Sequence, residues 1–337
     1  MKSYKFIFVI TSFLAVSVSS FAQHFTTPDS YVKFINTEHR AIAKEIVSYT
    51  ATLAQGKSLK DEEHKRKAIL LKLKSASIHI AGMPPYKTNK TMQDSLVSYS
   101  RATHKIMNVH YPKIQALQDS ASKFYESAIK FSQIKKQALS LLINDEMKLN
   151  NSVKAFCTKY NLAYSIKNEQ EYQDLLAIQS ASNYQNVLQN VYIKVSVQEA
   201  SFVKAVNKKD KEEIEKQASI LTKLSKEATA VLDTLKAFKE EKNLLSATKS
   251  YFAFTQKESD KDAATLAVLI SNETKKQNSP SDSSVIVNTK AEFTGKDSQL
   301  LTYSTTSTSM NSERKVAVSN WEKENASFLK RYFNQRK

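Results

Sequence analysis

Asp61 and His64 stand three residues apart, the chain's nearest approach to the Glu-x-x-His pair that points metal ligands into the core of a helical bundle. No Glu stands three residues before any of the six histidines, and no two histidines stand four apart; His104 and His110 are separated by six. The pair also falls in a densely charged stretch, as the solvated first turn of a helix would. Cys157, the single cysteine, lies between Phe156 and Tyr160 at helical spacing with no histidine beside it. It reads as a small buried thiol and not as a nucleophile. A Walker loop, a dinucleotide fingerprint or a nucleophile elbow needs clustered glycines, and the three in this chain, Gly56, Gly82 and Gly295, are scattered. These residues point to binding or structure rather than catalysis, with no catalytic residue, metal ligand or cofactor assigned.

The residues left to carry a function are basic. The formal charge is +17, spread along the chain rather than held in one tail. Two clusters flank expected interhelix turns: Lys57, Lys60, Lys65, Arg66 and Lys67, then Lys204, Lys208, Lys209 and Lys211. Such a surface suits a diffuse contact with anionic polysaccharide or lipid head groups. Sequence-specific nucleic-acid binding would call for exposed stacking aromatics or a groove-reading module, and neither is visible. A solvated lysine-rich helical surface accounts for the same residues. Aromatic residues at helical spacing, among them Phe124, Phe131, Phe156 and Tyr160, or Trp321, Phe328 and Tyr332, read first as core. The alternative is that they line a bundle cavity for a small apolar or haem-like ligand.

The elements that must position these residues are helices. Scarce glycine, five prolines and few alternating β-branched runs exclude a β-sandwich. Periodicity and end signals predict helices over 29–55, 61–81, 91–109, 119–160, 169–206, 210–238, 243–275 and 297–333. Pro112 interrupts the third, and the seventh bends near Ser259. The second buries Ile69, Leu73, Ala76 and Ile80. The sixth repeats four-three spacing through Ile214, Ala218, Leu221, Ser225, Ala228, Leu232 and Leu235, the pattern of antiparallel helix packing. A Ser-rich, Pro280-containing stretch over 277–296 is the expected loop.

The plan recurs. An offset near 150 residues sets Glu62 and Glu63 on Glu212 and Glu213, Ala68 on Ala218, Leu71 on Leu221, Tyr86 on Phe238, and Ser98–Tyr99 on Ser250–Tyr251. The fourth helices match at a larger offset. The expected fold is all-α, two tandem antiparallel four-helix units over 23–165 and 166–337 that arose by duplication.

Residues 1–22 read as a secretory signal: Lys2 and Lys5, an apolar run from Phe6 to Val18, then Ser20-Phe21-Ala22 with cleavage between Ala22 and Gln23. The residue after that point is Gln23 rather than a cysteine, which argues against lipid anchoring at the N-terminus. The mature chain is expected outside the cytoplasm, in the periplasm or at the cell surface, with a charge of about +15 once Lys2 and Lys5 leave. The segment from Tyr31 to Tyr49 with Glu38, the Lys65-Arg66-Lys67 run before Ile69-Leu70-Leu71, the Pro84-Pro85-Tyr86 break and the Leu235–Phe238 segment together resemble an uncharacterised family of helical bacterial surface or envelope proteins, found in spirochaetes and Bacteroidota-like bacteria. That resemblance covers most of the mature chain and implies an envelope address without an activity. Asp94-Ser95-Leu96, Asp119-Ser120-Ala121 and Asp233-Thr234-Leu235 resemble the acceptor tripeptide for O-glycosylation of exported proteins in some such bacteria, though the first two serve equally as helix starts and the third falls inside the sixth helix.

Overall fold

The computed structural model describes residues 25–54, 59–121, 124–164, 170–277 and 289–334. The signal segment with Ala22 and Gln23, Gly56 and Lys57, and most of the expected loop lie outside them. Helices α1 (Pro28–Ala54), α2 (Leu59–Ala81), α3 (Thr91–Ala121) and α4 (Tyr125–Lys159) are followed by α5 (Gln170–Lys208), α6 (Lys211–Asp233), α7 (Asn243–Lys257), α8 (Ala263–Gln277) and α9 (Thr289–Asn334). Among the described residues the chain is all-α, and no helix is long and apolar enough to cross a membrane.

Two cores form. The first is built from the inward faces of α1 to α4 and includes Ile35, Ile42, Ile69, Leu73, Ile80, Met107 and Leu142. The second is built from α5 to α9. Helix α5, about 58 Å long at 1.5 Å per residue, is common to both: Leu175 and Ile178 complete the first core, while Leu188, Val195 and Phe202 serve the second. Ala121 and Ala128, flanking the α3–α4 corner, also pack into the second core.

Counterpart positions align through both cores. On α1 and α5, positions 153 apart pair Tyr31 with Tyr184, Ile35 with Leu188, Ile42 with Val195 and Tyr49 with Phe202. On α2 and α6 the separation is 152: Ile69 with Leu221, Ala76 with Ala228, Ile80 with Leu232. Met92, Tyr99 and Ile114 match Leu244, Tyr251 and Leu266 at the same separation. Pairing Leu71 with Leu221, as an offset of 150 requires, is two residues out of step, because Leu71 is 70% exposed and Leu221 fully buried.

One aromatic arrangement occurs twice. Tyr31, Tyr86, Phe156 and Tyr160 make the same four ring contacts as Tyr184, Phe238, Phe328 and Tyr332, with Tyr31 stacked on Phe156 and Tyr184 stacked on Phe328. The corners beside them also correspond. Tyr86 bridges to Asn89 and Phe238 to Glu241, while Lys87 and Lys239 take left-handed backbone angles and set their ammonium groups over two rings of the adjoining quartet.

Several boundaries differ from expectation. Helix α3 continues through Pro112 to Ala121, because packing along α4 outweighs the hydrogen bond that proline cannot donate. Arg66 donates to the Met107 carbonyl (3.1 Å), one residue before Asn108, whose carbonyl Pro112 cannot serve. At the counterpart level a π-helical turn, Glu258–Asp262, joins α7 to α8 around Ser259, and the Thr222 hydroxyl lies 2.8 Å from both Ser259 Oγ and Asp260 Oδ1. Helix α4 starts at Tyr125 rather than Asp119; Phe124, expected in the core, is an extended residue at the corner and 61% exposed. Helix α6 stops at Asp233, where the corner begins, so Thr234 is its cap rather than an interior residue. Residues 289–296, expected as loop, begin α9.

Candidate functional site

The basic clusters separate into cations used internally and cations facing water. Lys65 donates to Thr52 Oγ1 (2.8 Å) and Ser48 Oγ (3.4 Å), fastening α2 to α1. Arg66 is gripped by Glu63 and reaches Met107 and Asn108 on α3. Paired this way, its guanidinium is held above the usual range and Glu63 below. These two are structural ties. Lys60 is exposed, and exposed Lys67 lies 3.6 Å from Glu63. At the α5–α6 corner, Lys204 and Lys208 are exposed with no carboxylate within 4 Å among the described residues. Lys209, left-handed, places its ammonium over the Tyr303 ring, and Lys211 lies 3.8 Å from Glu215.

Three of the buried polar sites stand apart from the rest in their chemistry. His39 Nε2 lies 2.6 Å from Glu146 Oε1, both fully enclosed, and the His39 ring stands edge-on to Tyr99. Burial first, then Glu146, holds the Tyr99 phenol well above its ordinary value. In the second core Arg314 bridges Glu199 and Glu258, and Tyr251 donates to Glu199. The third is Glu62, fully buried with neither carboxylate oxygen hydrogen-bonded. Desolvation raises it to about 7 against the opposing pull of Lys135, whose ammonium burial lowers to about 8. Among the described residues no three of His, Cys, Asp and Glu converge on one point, and His64 is exposed.

A groove of about 660 Å³ opens between α2 and α3. Leu70 and Leu71 supply apolar wall, buried Leu73 and Ser100 part of its floor, and Lys67, Lys74, Ser77, Arg101 and His104 its rim. Sequence reasoning passed over it because only the inward stripe of α2 was read. The signal was a second stripe on the opposite face, Lys67, Leu71, Lys74 and Ile78, also spaced four-three-four, of which the first three line the groove and Ile78 stands beside it. A second groove, about 720 Å³ between α6 and α8, is lined by small residues such as Ala218, Ala263 and Ala267 with Lys211, Glu215 and Asp260.

Of the three acceptor-like tripeptides, Ser95 is half-buried and donates to Ser152, and Ser120 is half-buried against Leu117. Thr234 is exposed, with its hydroxyl on the Val231 carbonyl. Cys157 is buried, and burial raises its thiol.

No family model, curated protein or solved structure matches the chain.

Proposed function

We propose that the chain is an exported, non-catalytic helical protein of the bacterial envelope that binds anionic polymer or lipid head groups through the corners of its bundle. The observation that carries this reading is the α5–α6 corner, where Lys204 and Lys208 project into solvent without a carboxylate within 4 Å among the described residues. Many other lysines are tied into ion pairs, as with Lys72 to Glu45, Lys194 to Glu227 and Lys249 to Asp233. A hydrated ammonium without a close carboxylate stays available to an external anion, and several together add. The signal-like start and the resemblance to envelope proteins supply the address.

Two units, 23–165 and 166–337, arose by duplication of one four-helix unit. The twin aromatic quartets, the matching left-handed Lys87 and Lys239, and the shared burial register support this reading. A cavity lined by the quartets is disfavoured, since rings 4.5 to 5.8 Å apart occupy the space a ligand would need. Sedimentation of the mature chain with lipopolysaccharide or an acidic glycan, across a salt series, tests the binding. Retention that weakens with salt and is lost in Lys204→Glu/Lys208→Glu is expected; undiminished retention in that variant overturns the assignment to this corner.

A further inference from the structure

The second unit acts as an internal control for the outer face of the first. At positions 152 apart, Lys67, Leu71, Ile78 and Arg101 correspond to Ser219, Lys223, Ala230 and Ala253. Both helix pairs fold with the same inward register, so the helix pair does not require an apolar outer stripe. Yet Leu71 is 70% and Ile78 64% exposed, one heptad apart on a face that no described element covers. Exposed leucine and isoleucine at seven-residue spacing, next to a concave groove, are what a partner helix packs against.

We infer that the α2–α3 groove and the outer face of α2 beside it dock an acidic amphipathic helix of a partner protein, its apolar stripe on Leu71 and Ile78 and its carboxylates on Lys74 and Arg101.

Charge complementarity selects the partner. No residue lining the groove is acidic, and among the described residues Lys74 and Arg101 meet no carboxylate within 4 Å. From Lys67 to Ile78 the face runs about 16 Å, three helical turns. A single acyl chain fits poorly, since small-ligand sites enclose about 70–90% of the ligand surface and Leu71 leaves the wall open. A flat bilayer fits poorly as well, because the apolar floor at Leu73 is recessed and buried. This surface lies on the first unit and does not depend on the α5–α6 corner proposed for polyanions.

The test uses the mature chain and a synthetic amphipathic peptide of about four helical turns, with leucines at heptad spacing and glutamates on both flanks. A lysine-flanked version and anionic phosphatidylglycerol vesicles run alongside. Binding of the glutamate peptide with a gain in its helicity is expected, weakened at least tenfold by Leu71→Asp and by Arg101→Glu. The counterpart change Lys223→Glu leaves it unaltered, and polyanion retention persists in Leu71→Asp. Equal binding of both peptides, no loss in Leu71→Asp, or loss of vesicle binding instead of peptide binding in that variant each overturns the proposal. Since Leu71 and Arg101 are exposed, thermal melting separates a docking defect from a folding one.

Discussion

Leu142 on α4 and Arg314 on α9 occupy counterpart positions 172 residues apart, and the guanidinium turns an apolar layer into an ionic one. Ile46 and Ile106 complete the layer in the first core; Glu199 and Glu258 stand at their counterparts in the second. Charges removed from water recover their desolvation cost only through good mutual geometry, so an apolar layer of similar volume is often the more stable. Arg314→Leu alone leaves two buried carboxylates facing each other and should cost about 3–5 kcal/mol. Glu199→Ile/Glu258→Ile/Arg314→Leu, which copies the first core, should be neutral or more stable by about 1–4 kcal/mol. Urea midpoints of the single and triple variants decide it; a triple variant as unstable as the single would show the ionic layer to be required.

Glu62 takes the place that Ile214 fills on α6. Its folded carboxyl is raised from 4.5 to about 7, so the folded state holds a proton that the unfolded chain releases. The stability this confers is complete below pH 4.5 and is lost as pH rises towards 7, an effect on the order of 3 kcal/mol at 1.36 kcal/mol per pH unit. Glu62→Gln removes that slope and is expected to be more stable than the native chain above pH 7. Lys135→Met removes the opposing cation and should push the titration higher. Chemical denaturation from pH 4 to 8 reads both, and parallel curves for native and Glu62→Gln chains would sink the idea.

Lys65 and Arg66 belong to the fold although their charge suggests the surface. Arg66→Ala removes the donor to the Met107 carbonyl and leaves Glu63 without its main partner, a loss of about 1–3 kcal/mol. Polyanion retention should stay as it was. Lys204→Glu/Lys208→Glu should show the reverse, with unchanged melting and lost retention. A drop in retention for Arg66→Ala at temperatures where it remains folded would return that residue to the surface site.

The inward stripes were readable because a helix buried on one face repeats its apolar residues every three or four positions; Ile69 to Ile80 and Ile214 to Leu232 follow the pattern and are buried. Pro112 misled because propensity is local while the packing of α3 on α4 is not. Register was not readable from letters: Glu62–Glu63 and Glu212–Glu213 match as residues, whereas burial pairs Glu62 with Ile214. Charge alone did not separate Lys65 and Arg66 from Lys204 and Lys208, since that depends on which acceptors lie within reach across a helix interface. The α2–α3 groove was missed for a related reason: an outward apolar stripe looks unremarkable until the inward face is known to be satisfied without it.

Trp321 is the only tryptophan and reports on the second core, where it stacks on Tyr192 and donates to Thr248. Phe156 belongs to the first core. Phe156→Ala should cost about 3–5 kcal/mol through the cavity it leaves. Whether Trp321 senses that loss depends on α5, which carries Leu175 and Ile178 into the first core and Leu188 and Phe202 into the second. Unwinding half of a continuous helix exposes the other half's backbone and strips the Ala121 and Ala128 contacts, so the two cores should melt as one unit. Trp321 fluorescence and far-ultraviolet dichroism are therefore expected to shift together to lower temperature in Phe156→Ala. A Trp321 transition left at its native midpoint while half the helical signal melts earlier would show α5 to be a linker between independent units.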